Sequence, residues 1–207
     1  MDILLGNWRI SNIATPELED YRYFIDKEIT NRMKDHYNKL YSAFDVIIDA
    51  ASQTKKYVDF CYYDKHFFEN KRTVQINSGR QSGKTCYIAS RFDPNRDIII
   101  CHNMQWRNEF IRLLTGGSRD LNSGKTLIFE LRECSLPISK ARNRVFSKSD
   151  FETLHNACQN LTIFRGTSIR RVWIDECSLN SSLNLSVMYD TIASYASDDI
   201  VFVKMGE

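Results

Sequence analysis

Apolar positions along this chain follow two rhythms, a helical one in the first fifty-odd residues and short strand-like runs after residue 70. Leu40, Phe44, Ile47 and Ile48 recur at the spacing of an amphipathic helix. Upstream of them, Thr15-Pro16-Glu17-Leu18-Glu19 has the marks of a separate helix start: Thr15 as N-cap, Pro16 at the first helical position and acids in the first turn. Apolar and β-branched runs then predict strands at 73–77, 97–101, 127–132, 161–165, 171–175 and 199–204, with helical stretches such as Trp106–Leu114 between several of them. Alternating β and α elements predict an α/β sandwich built on a largely parallel sheet. The expected organisation is an N-terminal helical region, 1–55, packed on a core of residues 56–207.

Composition changes little in this picture. With 207 residues, 43% hydrophobic and 26% charged, the chain can bury a sizeable core and is not of disordered type. No basic segment precedes an apolar leader, and no run approaches the roughly eighteen apolar residues of a membrane span, so a cytoplasmic protein without a membrane partner is expected. Six cysteines, at 61, 86, 101, 134, 158 and 177, form no Cys-x-x-Cys pair and are expected to be reduced, mostly buried thiols. His36, His66, His102 and His155 are unclustered and suggest no metal site. Net charge is only +2, but residues 140–171 carry Lys140, Arg142, Arg144, Lys148, Arg165, Arg170 and Arg171 against Asp150 and Glu152. Seven minus two leaves +5 there, a candidate backbone-contacting surface for nucleic acid if the side chains share a face.

The candidate chemistry begins where the predicted strand 73–77 runs into Ser78-Gly79-Arg80-Gln81-Ser82-Gly83-Lys84-Thr85. A small-residue loop of this kind lets backbone N–H groups converge on a polyphosphate, with Lys84 reaching the β/γ-phosphates and the Thr85 hydroxyl ligating Mg²⁺. A short helix, Tyr87–Arg91, would present its positive end to the same phosphates. A second Gly124-Lys125-Thr126 enters the strand-like run Leu127–Arg132 instead of a helix, and Lys125 reads as a turn lysine. Downstream, Val172-Trp173-Ile174 forms a buried-strand signature that ends in Asp175-Glu176. Asp175 suits Mg²⁺ binding as a Walker B acid, and Glu176, pointing elsewhere by strand alternation, suits activation of the attacking water. The aromatic segment 57–68 supplies Tyr62, Tyr63 and Phe67 as candidates for stacking on adenine, against plain core packing.

Together these residues resemble the ATPase domain of the large terminase subunit, the DNA-packaging motor of tailed bacteriophages. The likeness rests on Gly79-Arg80-Gln81-Ser82-Gly83-Lys84-Thr85, on Ile98–Asn103 followed by Trp106–Leu114, and on Phe164-Arg165-Gly166-Thr167-Ser168 before Ile174-Asp175-Glu176-Cys177; it covers roughly residues 72 to 204. It implies a P-loop NTPase core of RecA/ASCE-like type, Mg²⁺-dependent ATP hydrolysis and translocation of double-stranded DNA. It also implies a portal protein and a small terminase subunit as partners, an active homo-oligomeric ring, and the cytoplasm of an infected bacterium as location. Arg80 takes the role of a positive charge near the γ-phosphate that responds to a neighbouring subunit, or else pairs with a carboxylate at the site edge.

Two family features have no counterpart here. Asp199–Glu207 contains neither Ser nor Thr where a coupling motif is expected, and nothing corresponds to the ribonuclease-H-type nuclease domain. The chain is therefore expected to be an ATPase portion or a stand-alone relative. A helicase-like or other nucleic-acid-dependent ATPase and a non-catalytic nucleotide-binding assembly module are the alternative readings.

Overall fold

In the computed structural model, five parallel strands form one sheet in the order β3-β7-β6-β4-β5. They span Thr73–Ile76 (β3), Asp97–Cys101 (β4), Val145–Ser147 (β5), Ile169–Ile174 (β6) and Ala196–Met205 (β7). The residues described are 4–5, 8–9, 15–54, 64–78, 83–116, 136–156, 164, 166–175 and 183–206. Residues 1–40 and 41–207 cluster as two compact units. The first holds a two-stranded antiparallel pair, β1 (Leu4–Leu5) and β2 (Trp8–Arg9), and most of a long helix, α1 (Thr15–Ser52).

Parallel strands need crossovers, and helices supply them on both faces. On one face lie α3 (Lys84–Arg91), α4 (Met104–Leu114) and the last turns of α1; on the other lie α2 (Asp64–Lys71), α6 (Lys148–Asn156) and α7 (Leu185–Ala193). A short α5 (Ile138–Arg142) leads into β5. Strand alternation sorts the core accordingly. Ile98, Ile100, Val172, Ile174 and Phe202 face α2, α6 and α7, where Phe68, Phe151, Met188, Tyr189 and Ile192 complete a hydrophobic layer. Ile99, Trp173 and Val203, which sit side by side in register, face α3. All five residues of β4 are buried, as expected of a strand covered on both sides. Asn103 and Asn184 cap α4 and α7, their side chains accepting from Trp106 N at 2.9 Å and Val187 N at 3.2 Å.

Several expectations are refined by this arrangement. The two helices anticipated before residue 55 are one continuous α1, whose Tyr41, Phe44 and Ile48 are buried while Ile47 is exposed. The strand anticipated over 161–165 is not found at Phe164, which sits in a helical turn; the remainder of that run, and the strand anticipated over 127–132 with Lys125, lie outside the described residues. A strand at Val145–Ser147 was not anticipated. Cys86, half-buried, and Cys101, buried, are thiols outside any disulfide. No described helix is long and apolar enough to cross a membrane.

Candidate functional site

The site is built where the carboxyl ends of β3 and β6 meet the amino end of α3. Gly83 adopts φ 72° and ψ 20°, the left-handed conformation that only glycine takes at little cost, and turns the chain from the loop into α3. Lys84 follows at the first position of that helix and is 92% buried. Lysine is seldom so covered without a binding or pairing role. Thr85 is next, half-buried in the same first turn.

Asp175 reaches the same edge from the other direction. Its N–H continues the sheet by donating to Ile100 O at 3.1 Å, and its carboxylate is only 1% exposed. Register fixes its height: Ile174 pairs with Lys204 and Ile76 pairs with Met205, so Asp175 lies level with Met205 and with the last residue of β3. One strand, β7, intervenes, which sets β3 and β6 roughly 10 Å apart.

The facing of these groups follows from one ring contact. Tyr87 of α3 lies edge-on to Trp173 of β6, with centroids 5.8 Å apart. Two residues after Trp173, Asp175 projects from the same sheet face, about 7 Å nearer the carboxyl edge. One turn before Tyr87, Lys84 stands about 4.5 Å nearer the same edge, because a helix that follows a parallel strand runs back against it. Lys84 and Asp175 therefore lie on one face and at one edge of the sheet, with the start of the loop at their level. Open parallel sheets bind their ligands outside the carboxyl ends of the strands.

A network of buried polar groups holds this frame. Asp45 of α1 accepts from the Tyr87 hydroxyl at 2.7 Å and from Arg91 Nη2 at 2.7 Å. Burial raises its carboxyl, but the hydrogen bonds from Arg91 and then Tyr87 outweigh this and hold it below the ordinary value. Burial, reinforced by the Asp45 bond, pushes the Tyr87 phenol far up, so it stays a hydrogen-bond donor. Trp173 Nε1 donates to Asp97 Oδ2 at 3.2 Å, and burial raises that carboxyl to about 6. Cys101, beside Asp175 on the same face, has its thiol raised well above the ordinary value by burial and then by the Asp175 charge.

No family model, curated protein or solved structure matches this chain.

Of the residues singled out in the sequence, Ser78, Gly83, Lys84, Thr85 and Asp175 are described and cluster at this edge. Gly79, Arg80, Gln81, Ser82 and Glu176 lie outside the described residues, as do Tyr62 and Tyr63. Phe67 is at the other edge of the sheet, packed on the apolar core and under the Arg72 guanidinium at 5.4 Å. It lines a cavity of about 630 Å³ with Ser52, Arg72, Asp198 and Ile200, where β3 and β7 begin. That position separates Phe67 from Lys84 and makes it a packing residue.

The basic window does not form one surface. Arg144 is buried, and burial lowers its guanidinium value. Arg170 pairs with Asp199 at 2.9 Å, Lys148 with Glu152 at 3.8 Å, and Arg171 lies over the Trp173 ring at 5.8 Å. Lys140 and Arg142 are the exposed basic residues among those described in the window.

Tyr41, Asp45 and Tyr87 were not singled out in the sequence. Tyr41 shares the helical spacing of Phe44 and Ile48, which marks a buried face but not a contact with a loop 42 residues away.

Proposed function

We propose that this chain is a Mg²⁺-dependent ATPase of the P-loop type, and that its ATP hydrolysis drives movement of double-stranded DNA as in the terminase large subunit that its motifs resemble. The observation that carries the ATPase reading is the convergence of a buried Lys84, at the head of the helix after a glycine-ended loop, with a buried Asp175 at the carboxyl edge of an all-parallel sheet. The inserted strand β7 between the loop strand and the acid strand supports the RecA/ASCE-like assignment. The DNA-packaging part rests on the sequence resemblance.

The donor set fits Mg²⁺. A hydroxyl in the first turn of α3 and a carboxylate at the strand end are hard oxygen donors, and Mg²⁺ bound to phosphates needs only one or two from the protein. No cluster of three His, Cys, Asp or Glu occurs among the described residues, and none is required for a metal held this way. Held there, Mg²⁺ would offset the negative charge that develops in phosphoryl transfer. The amides at the head of α3 would orient the phosphates and Lys84 would neutralise the γ-phosphate. Asp175 and Thr85 would hold the metal. Glu176, next along the chain, would orient the attacking water, and Arg80 would add positive charge at the γ-phosphate.

Phosphate release from ATP, with and without linear duplex DNA, tests this reading. Stimulated turnover, abolished in Glu176→Gln while ATP binding is retained, is expected. Turnover unaffected by DNA would remove the motor and leave the ATPase. Strand separation by the protein would favour a helicase instead.

A further inference from the structure

We infer that Tyr41 is a positioning residue for the Gly83–Lys84 peptide, setting the direction of the backbone N–H at the head of α3; this rests on the reading of Lys84 and Asp175 as an ATP site. Tyr41 belongs to α1, is 97% buried, and donates its hydroxyl to the Gly83 carbonyl at 2.9 Å. The same carbonyl accepts the Tyr87 N–H at 2.8 Å. Two donors from two helices thus pin one oxygen.

The consequence follows from peptide geometry. In a planar trans peptide the C=O and the next N–H point in opposite directions. With the Gly83 oxygen held toward the body of α3, the Lys84 N–H is directed out of the helix end, where an anion would lie. Gly83 is the residue least able to hold this orientation by itself, since it has no side chain and sits at φ 72°. An external anchor supplies what the residue lacks.

A second set of contacts ties the same tyrosine to the acid strand. The Tyr41 ring packs on Tyr87 at 5.0 Å, and Tyr87 meets Trp173 at 5.8 Å. Trp173 stands two residues before Asp175. One column of rings therefore spaces α1, the helix that carries Lys84, and the strand that carries Asp175. Asp45, one turn after Tyr41 on α1, holds the middle ring of the same column through the Tyr87 hydroxyl.

Tyr41→Phe keeps the ring and removes only the hydroxyl. The expected result is a Kd for Mg·ADP, read from the anisotropy of a fluorescent ADP analogue, about fivefold above wild type, the size of one net hydrogen bond. Phe44→Leu serves as the control, because Phe44 also packs on Tyr87, at 5.1 Å, but carries no hydroxyl to donate to the Gly83 carbonyl. Phe44→Leu is expected to lower the thermal midpoint at least as much and to leave the Kd at the wild-type value. Equal affinity in Tyr41→Phe and wild type, or a Kd that simply follows lost stability in both variants, overturns the inference. Wild-type protein that binds no nucleotide would instead remove the ATP reading. In that case amide exchange of Lys84–Tyr87 decides: faster exchange in Tyr41→Phe than in Phe44→Leu supports the anchor, and equal rates contradict it.

Discussion

Trp173 and Asp97 are joined through a buried hydrogen bond, indole N–H to carboxylate at 3.2 Å, between adjacent strands directly beneath Tyr87. Both residues are fully buried, so the bond is made in a place where neither partner can turn to water. Trp173→Phe would delete the donor and leave a void under Tyr87. A destabilisation of about 2–3 kcal/mol is expected from the two effects. Urea unfolding measures it, with an unchanged m-value showing that the fold is kept.

Asp97 also predicts how stability varies with pH. Burial raises its carboxyl from the ordinary 3.8 to about 6, so between these values the folded protein holds a proton that the unfolded chain has released. Stability conferred by that proton is present below pH 4 and is lost as pH rises through 6. A shift of about two units corresponds to roughly 3 kcal/mol as an upper figure. Unfolding free energy followed from pH 4 to pH 7 should contain this fall, and Asp97→Asn should flatten it. An identical pH profile in the variant would show that Asp97 does not titrate in this range.

The Asp45–Arg91 pair is a weaker link. Nη2 and Oδ2 are 2.7 Å apart, but both side chains are more than a third exposed, which screens the charge. A double-mutant cycle with Asp45→Ala and Arg91→Ala should give a coupling of about 0.5–1 kcal/mol at neutral pH. Because the Asp45 value is lowered in the fold, the coupling persists above pH 3.8 and shrinks as pH falls below it.

Gly83→Ala tests the turn into α3. A residue with a Cβ at φ 72° costs about 1–2 kcal/mol, and the penalty is relieved by moving the very peptide that Tyr41 and Tyr87 hold. The variant should melt several degrees lower, since about 1 kcal/mol shifts a chain of this size by ~2–4 °C. It should also bind Mg·ATP more weakly than Tyr41→Phe does.

What was legible in the sequence and what was not follow from range of interaction. Lys84 and Asp175 could be read because each sits at a local transition, glycine loop to helix and apolar strand to acid, that leaves a mark in a few consecutive residues. The end of β4 was legible for the same reason, as an unbroken apolar run. β5 was not, because three residues at the sheet edge show no period. The single α1 was hidden by its charged middle, although no Gly or Pro interrupts residues 17–52. Tyr41 and Phe67 show the limit most clearly. Each is an aromatic residue in an aromatic neighbourhood, and only the path of α1 and the order of the strands put one against Gly83 and the other at the far edge. The basic window failed as a surface for a similar reason: Arg144 and Arg171 share the window with Lys140 and Arg142, but the first is buried near Asp97 and the second lies over Trp173.

The most direct test of the central claim is the affinity for Mg·ATP of the wild-type protein beside Lys84→Ala and Asp175→Asn. The account predicts saturable binding by the wild type, weakened at least about tenfold (~1.4 kcal/mol) in Lys84→Ala, and in Asp175→Asn weakened only when Mg²⁺ is present. Undiminished binding in Lys84→Ala, or no binding by the wild type, would contradict it.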